Sequence, residues 1–176
     1  QITLTRPDDW HLHLRDGEAL SAVLAHTARQ FGRAIVMPNL KPPVTTVEQA
    51  AAYRQRILAA LPAGANFEPL MTLYLTDKTP ASEVAKAAAS GFVKAVKLYP
   101  AGATTNSDAG LTDIAKAYDT LAEMELLGLP LLVPALLWQP QRPDPGSFTL
   151  LAADIGQGNA VLVRTQRHSL LYDTGP

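Results

Sequence analysis

The sequence predicts an α/β protein with a parallel sheet, followed by a short antiparallel β meander. Along residues 1–133, short apolar segments alternate with segments of helical periodicity, which is typical of βα units. A proline-rich stretch comes next, since five of the 14 prolines lie between positions 130 and 145. Beyond it, residues 148–176 show short alternating strands with turn signals at 156–159 and 166–168.

The strands of the first part are predicted from short apolar runs bounded by turn residues. Residues 2–4 and 10–14 are expected to be extended, and the later strands are 34–37, 69–75, 92–98 and 129–133. About five parallel strands with four helices make just over half of a (β/α)₈ barrel, or a small open sheet. A complete barrel typically needs ~250 residues, and this chain has 176.

Four helices are predicted between these strands, each from a periodic apolar stripe and from terminal signals. Their ranges are 17–30, 47–61, 80–90 and 112–127. Thr45 or Thr46 is expected to cap the second helix. Pro80 lies in the first turn of the third helix, and Gly128 follows the fourth.

The composition excludes several classes of protein. The formal net charge is −1, so there is no basic footprint for nucleic acid, and we expect none as a partner. There is no cysteine, which excludes disulfides and thiolate metal sites. The longest apolar run, residues 126–138, is interrupted by glycine and proline and is shorter than a membrane span. We therefore expect a cytoplasmic protein with no membrane partner.

Two histidines are the first candidate functional residues. His11 and His13 are separated by one residue in a predicted strand, so both side chains leave the same face. Two imidazoles at one strand end suit a divalent metal with nitrogen ligands. The alternative is a pair of surface histidines. Arg15 continues the same face.

Two further polar residues lie near strand ends, where an α/β sheet places its chemistry. Lys97 lies within an apolar strand, where desolvation favours a neutral amine that can form a carbamate with carbon dioxide. Its alternative is a lysine that reaches out to solvent past the strand end. Asn39 follows the second strand and is either a hydrogen-bonding group of the site or a turn former.

Four segments resemble the amino-terminal half of dihydroorotase, in the single-domain bacterial form of the amidohydrolase superfamily. They are RPDDWHLHLRDG, GRAIVMPNLKPPVTTVEQAAAYRQRIL, PLMTLYLTD and KLYPAGATTNS. The resemblance runs almost without a gap from about residue 2 to residue 133. It implies a partial TIM-type barrel and a cyclic amidohydrolase of pyrimidine biosynthesis, which interconverts L-dihydroorotate and N-carbamoyl-L-aspartate.

The resemblance also implies roles for individual residues. His11 and His13 match the zinc ligands of the family's HxH motif, and Lys97 matches a carboxylated lysine that bridges two zinc ions. Arg15 and Asn39 match residues that hold the substrate carboxylate.

The sequence departs from the family at the fifth strand. The family has a histidine ligand there, and this chain has Pro134. A further histidine ligand and the catalytic aspartate belong to later strands and match no residue here. We therefore expect at most one, weakly bound zinc instead of two, and little or no activity from this chain.

Residues 134–176 resemble a different family, the start of the metallo-β-lactamase-like domain of ComEC-type competence proteins, which take up DNA. The sequence motifs on which this resemblance rests are DIGQGNAVL and LLYDTGP. The predicted organisation is a half barrel (1–133), a proline-rich linker (134–147) and a meander (148–176). An alternative function follows, namely a non-catalytic chimeric or fusion fragment. Unpaired sheet edges also predict self-association of the chain.

Overall fold

The computed structural model describes residues 5–133, 144, 147–154, 159–165 and 169–172. The chain separates into two compact units, Gln1–Leu132 and Val133–Pro176. The predicted extended segment at residues 2–4 lies outside the described residues, as does most of the predicted linker.

The first unit is a five-stranded parallel sheet with the strand order β1-β2-β3-β4-β5. Each strand pairs with the next one along the chain, and helices connect them, so the predicted α/β class is confirmed. The strands are β1 Asp8–Leu12, β2 Arg33–Val36, β3 Glu68–Leu75, β4 Val93–Leu98 and β5 Leu131–Leu132. The helices are α1 Glu18–Gln30, α2 Val47–Ala59, α3 Ala81–Ser90 and α4 Tyr118–Leu127.

Four predicted elements have boundaries that are wrong by two residues or more. Helix α2 ends at Ala59 instead of 61, and β5 starts at Leu131 instead of 129. The first strand starts and ends two residues earlier than predicted, because the Asp9 carboxylate accepts a hydrogen bond from His11 N at 2.9 Å and the β1–β2 register is irregular there. His13 therefore follows the strand. The fourth helix begins later, after a 3₁₀ turn at Ile114–Ala117 that Asp113 caps through Ala115 N.

The core of this unit lies between the sheet and its helices. Val36, Leu73 and Val96 belong to one buried cluster that also contains Leu24 of α1 and Tyr53 of α2. Alternate residues of each strand point to opposite faces of the sheet. A second, smaller buried cluster holds Ile35, Met37 and Leu70. Lys97 alternates with Val96, so it leaves the face of the sheet opposite the helices.

Helix α2 is held at its N-terminus by two side chains. Thr46 is its cap and forms a capping box with Gln49, which selects Thr46 from the two predicted candidates. Glu83 of α3 is buried and accepts a hydrogen bond from Val47 N at 2.7 Å. This carboxylate satisfies a backbone donor that the helix itself leaves open.

A compact loop, residues 99–111, leaves the carboxyl end of β4. Its two ends are joined by backbone hydrogen bonds, from Leu111 N to Tyr99 O at 2.8 Å and from Ala101 N to Leu111 O at 3.0 Å. Gly110 lies where the two ends meet. A Cβ built on it would stand 2.3 Å from Tyr99 O and 2.9 Å from Ser107 O.

The residues that follow this loop are hydrogen-bonded to the turn after β3. Asp77 accepts hydrogen bonds from Lys116 Nζ at 2.6 Å, Thr112 Oγ1 at 2.6 Å and Thr112 N at 2.8 Å. The bonds from Lys116 and then Thr112 lower the pKa of Asp77 from 3.8 to about 2. Asp77 therefore stays ionised over the whole physiological range.

The second unit contains a three-stranded antiparallel sheet in the order β6-β7-β8, formed by Phe148–Asp154, Asn159–Thr165 and Ser169–Tyr172. The predicted meander is confirmed. The predicted turns at 156–159 and 166–168 lie outside the described residues, apart from Asn159 at the start of β7. Within the described part of the chain, no helix combines the length and the apolar character needed to span a membrane.

Replacing Gly110 by alanine is expected to destabilise the first unit by about 1–3 kcal/mol, because the new methyl group would collide with backbone atoms, which yield less easily than side chains. Gly32→Ala is the control, since its Cβ would find nothing closer than 3.7 Å. Urea denaturation of both variants measures the difference. Equal midpoints for the two variants would contradict the close approach at Gly110.

Asp77→Asn is expected to change the pH dependence of stability. A carboxylate with a lowered folded-state pKa stabilises the fold above its unfolded pKa, and this contribution is lost as the pH falls toward about 2. The free energy of unfolding should therefore fall more steeply in the wild type than in Asp77→Asn between about pH 5 and pH 2. Urea midpoints measured across this range test it, and parallel curves would refute it.

Candidate active site

The two histidines of the HxH motif converge at the end of β1. Their Nε2 atoms lie 2.9 Å apart, and the ring centroids are separated by 4.8 Å. Two nitrogen ligands of one tetrahedral zinc lie about 3.3 Å apart, given Zn–N bonds of 2.0–2.1 Å. The rings would have to separate by only a few tenths of an ångström to hold one metal ion between them.

Lys97 is buried, with 5% of its surface exposed, near the carboxyl end of β4. It pairs in register with Tyr74 on β3 and Leu132 on β5. Its Nζ lies 5.5 Å from the centre of the Tyr99 ring, which stacks on Tyr74 with centroids 4.9 Å apart. The predicted alternative, a lysine reaching into solvent, does not fit this burial.

Arg15 follows β1 and adopts an unusual backbone conformation. Its φ angle is 60°, in the left-handed region, which costs a non-glycine residue about 1–2 kcal/mol. Its Nη1 is buried and has no hydrogen-bond partner among the described residues. A buried guanidinium nitrogen with open hydrogen-bonding capacity is suited to an anionic group. Strain of this kind is typical of residues that a functional site holds in place.

Asn39 connects two loops at the carboxyl edge of the sheet. It is 3% exposed, and its Nδ2 donates to Thr105 O at 3.1 Å. In return, Asn106 Nδ2 donates to the backbone carbonyl of Asn39 at 3.1 Å. Tyr74 Oη also donates to Asn106 O, at 3.3 Å. Asn39 therefore holds the two loops together as well as being a candidate ligand group. Its Nδ2 already donates one hydrogen bond, to Thr105 O.

The structure brings the two histidines into direct contact and places the other predicted residues at the same edge of the sheet. His11 contacts His13 directly, whereas Lys97, Arg15 and Asn39 stand on separate strands or loops at the carboxyl edge. In the described part of the chain, no group of three or more His, Cys, Asp or Glu could hold a metal ion.

Sequence reasoning missed two residues that shape this site. Asn106 lies in the loop after β4 with a φ of 57°, a conformation that asparagine tolerates better than most residues. Tyr53 is buried in α2, and its hydroxyl donates to Arg15 O at 2.5 Å. A tyrosine on the core-facing stripe of a helix is a usable signal, since a buried hydroxyl needs a partner. The sequence spacing does not indicate that this partner is the carbonyl oxygen of Arg15.

Comparison with known proteins identifies the fold. The model of the amidohydrolase family matches residues 8–131. A dihydroorotase of Alkalilimnicola ehrlichii is 79% identical over 133 residues, which are 76% of this chain and 39% of that protein. A dihydroorotase of Ralstonia nicotianae is 68% identical over 172 residues, 98% of this chain and 47% of its own length.

A solved structure also shows similarity to a dihydroorotase. The dihydroorotase of Campylobacter jejuni superposes with a TM-score of 0.68 at 42% sequence identity, over 74% of this chain and 38% of that one. The parallel sheet is therefore part of a TIM-type barrel, which decides between the two predicted architectures. The chain spans about two fifths of the length of the first relatives it matches. On this evidence, the chain belongs to the amidohydrolase family.

Proposed function

We propose that this chain carries the metal-binding and carboxylate-binding half of a dihydroorotase site. The reaction adds water to the ring amide of L-dihydroorotate. An oxygen–carbon bond forms, the ring carbon–nitrogen bond breaks, and the nitrogen takes up a proton to give N-carbamoyl-L-aspartate. The observation that carries the proposal is the pair of Nε2 atoms 2.9 Å apart at the end of β1, in a chain whose relatives are named dihydroorotases.

Zinc is the metal we propose for this pair, because it suits imidazole nitrogens and these two lie within a few tenths of an ångström of tetrahedral spacing. His11 and His13 would hold it, with Lys97 as a carbamate supplying an oxygen ligand. The burial of Lys97 near the carboxyl end of β4 supports this role, since a carbamate there would stand at the edge of the sheet that also carries the histidine pair. A divalent metal bound there would polarise the ring carbonyl and make water more acidic.

Arg15 and Asn39 are proposed to hold the substrate carboxylate. The buried Nη1 of Arg15 supports its role, because it offers a charged donor without a partner among the described residues. Asn39 is buried beside the loop of residues 99–111, and its bond to Thr105 O uses one of the two hydrogens of its amide. A guanidinium and an amide together would fix the orientation of an acid.

The few histidines available as metal ligands in this chain favour metal binding over rapid catalysis. Of its four histidines, two form the pair, His26 lies on α1, and His168 lies outside the described residues. A second metal on the family pattern would need histidine ligands that no residue here matches. We therefore infer that the chain binds at most one zinc, turns over slowly or not at all, and is related to cytoplasmic enzymes of pyrimidine biosynthesis.

A second proposal concerns residues 134–176. We propose that they derive from the start of a ComEC-type metallo-β-lactamase-like domain, which would make the chain a fusion of two proteins. The motifs DIGQGNAVL and LLYDTGP and an antiparallel sheet in this unit support it. The alignment with the Ralstonia dihydroorotase runs across most of the same residues and favours a single origin. A nucleotide read through codons 133 and 134 tests the junction, since an unbroken genomic read would favour a true fusion and separate flanking genes would favour an artefactual join.

Zinc binding tests the metal site. His11→Ala and His13→Ala should each lower zinc affinity by about tenfold or more, because each removes one of two converging ligands. His26→Ala is the matched control, since this histidine lies on α1 and should leave the affinity unchanged. Isothermal titration with zinc measures all three variants. Wild-type affinity in both ligand variants would rule out the histidine pair as the site.

Substrate binding tests the carboxylate site. Arg15→Ala should weaken binding of L-dihydroorotate by about tenfold to 100-fold, which corresponds to losing a hydrogen bond from a charged group. Arg29→Ala, in the last turn of α1, is the control and should bind as the wild type does. Titration of the zinc-loaded chain measures the dissociation constants. Equal values for wild type and Arg15→Ala would remove Arg15 from the proposed site.

A further inference from the structure

The loop that carries Arg15 is held by two side chains of α2. The Tyr53 hydroxyl donates to Arg15 O at 2.5 Å, and Tyr53 itself is 1% exposed. One residue further along, the Asp16 carboxylate accepts two hydrogen bonds from Arg56, through Nε at 3.0 Å and Nη2 at 2.8 Å. These contacts fall on consecutive residues of a loop in which Arg15 and Gly17 both have positive φ angles, of 60° and 61°.

The two contacts on α2 also support each other. The Arg56 guanidinium lies 5.4 Å from the centre of the Tyr53 ring, so one arginine bonds Asp16 and covers the tyrosine. Arg56 and Asp16 are partly exposed, with 47% and 38% of their side chains accessible to solvent. Water screens an ion pair of this kind, whereas the buried bond from Tyr53 meets little competition from solvent. Tyr53 is therefore the stronger of the two constraints.

A strained residue persists only where its surroundings determine its conformation. At Arg15 the φ of 60° sets the direction in which the side chain leaves the backbone. If the peptide relaxed to an extended conformation, the side chain would leave in another direction and the buried Nη1 would move with it. The bond to the carbonyl oxygen of Arg15 acts directly on the strained peptide.

We infer that Tyr53, assisted by Arg56, is a positioning residue that holds Arg15 in its strained conformation and so directs the guanidinium at a bound carboxylate. The inference rests on the proposed role of Arg15 and extends it to residues that do not touch the ligand. Burial raises the pKa of Tyr53 well above the usual range of a phenol, so its hydroxyl stays protonated and can donate at neutral pH.

The first experiment is a double-mutant cycle on L-dihydroorotate binding by the zinc-loaded chain. Tyr53→Phe keeps the buried ring and removes only the hydroxyl, and it should weaken binding by about tenfold. Arg56→Lys should weaken it by a smaller factor, because a lysine cannot make the two-pronged contact with Asp16. In an Arg15→Ala background, Tyr53→Phe should have no further effect, since there is no guanidinium left to direct.

A matched control separates positioning from general stability. Thr120 on α4 also donates a buried hydroxyl to a backbone carbonyl, Thr79 O at 2.6 Å, but far from the Arg15 loop. Thr120→Val should destabilise the fold without changing the affinity for dihydroorotate. If it weakens binding as much as Tyr53→Phe does, or if Tyr53→Phe weakens binding equally with and without Arg15, the positioning role is refuted.

A second readout needs no ligand and so separates this inference from the proposed function. Trypsin cleaves after arginine where the backbone can open. Tyr53→Phe should speed cleavage after Arg15 several-fold, while cleavage after the exposed Lys78 stays constant as an internal reference. If the wild type binds no dihydroorotate, the proposed function fails and the trypsin ratio alone decides. Unchanged cleavage after Arg15 would overturn the inference.

Discussion

Hydrogen bonds between the loops at the carboxyl edge of the parallel sheet are the constraint on which the candidate site depends. Parallel strands deliver all their following loops to one edge, where backbone groups leave the sheet ladder and need new partners. Here the loops after β2 and β4 satisfy each other through Asn39 and Asn106, and α2 satisfies the loop after β1 through Tyr53. The two residues proposed to bind the carboxylate, Arg15 and Asn39, are therefore held by the same bonds that stabilise the loops.

The sequence was sufficient for the parallel sheet and for the histidine pair. Apolar runs and helix signals locate β2 to β4 and α1 to α3 to within a few residues, because burial between helices and sheet demands those patterns. The one-residue spacing of His11 and His13 indicates convergence, and their Nε2 atoms meet. The two side chains converge although β1 lies two residues earlier than predicted and His13 follows the strand.

What the sequence could not indicate are contacts between residues distant along the chain. Tyr53 and Arg15 are 38 positions apart, and Asn39 and Thr105 are 66 apart. No local pattern encodes such a pair, because each partner has an ordinary structural role in its own element. The delayed start of α4 has the same origin, since Thr112 bonds to Asp77, 35 positions earlier, and does not begin a helix.

The two halves of the proposed site differ in how far the fold prepares them. Arg15 is strained, tied through its carbonyl and buried at one guanidinium nitrogen, so much of the cost of ordering it is met when the chain folds. The histidines instead contact each other at 2.9 Å, and a metal would have to separate them. Within the described residues they lack a third ligand among His, Cys, Asp and Glu. The fold therefore prepares the proposed carboxylate site more fully than the proposed zinc site, where the two rings must first move apart.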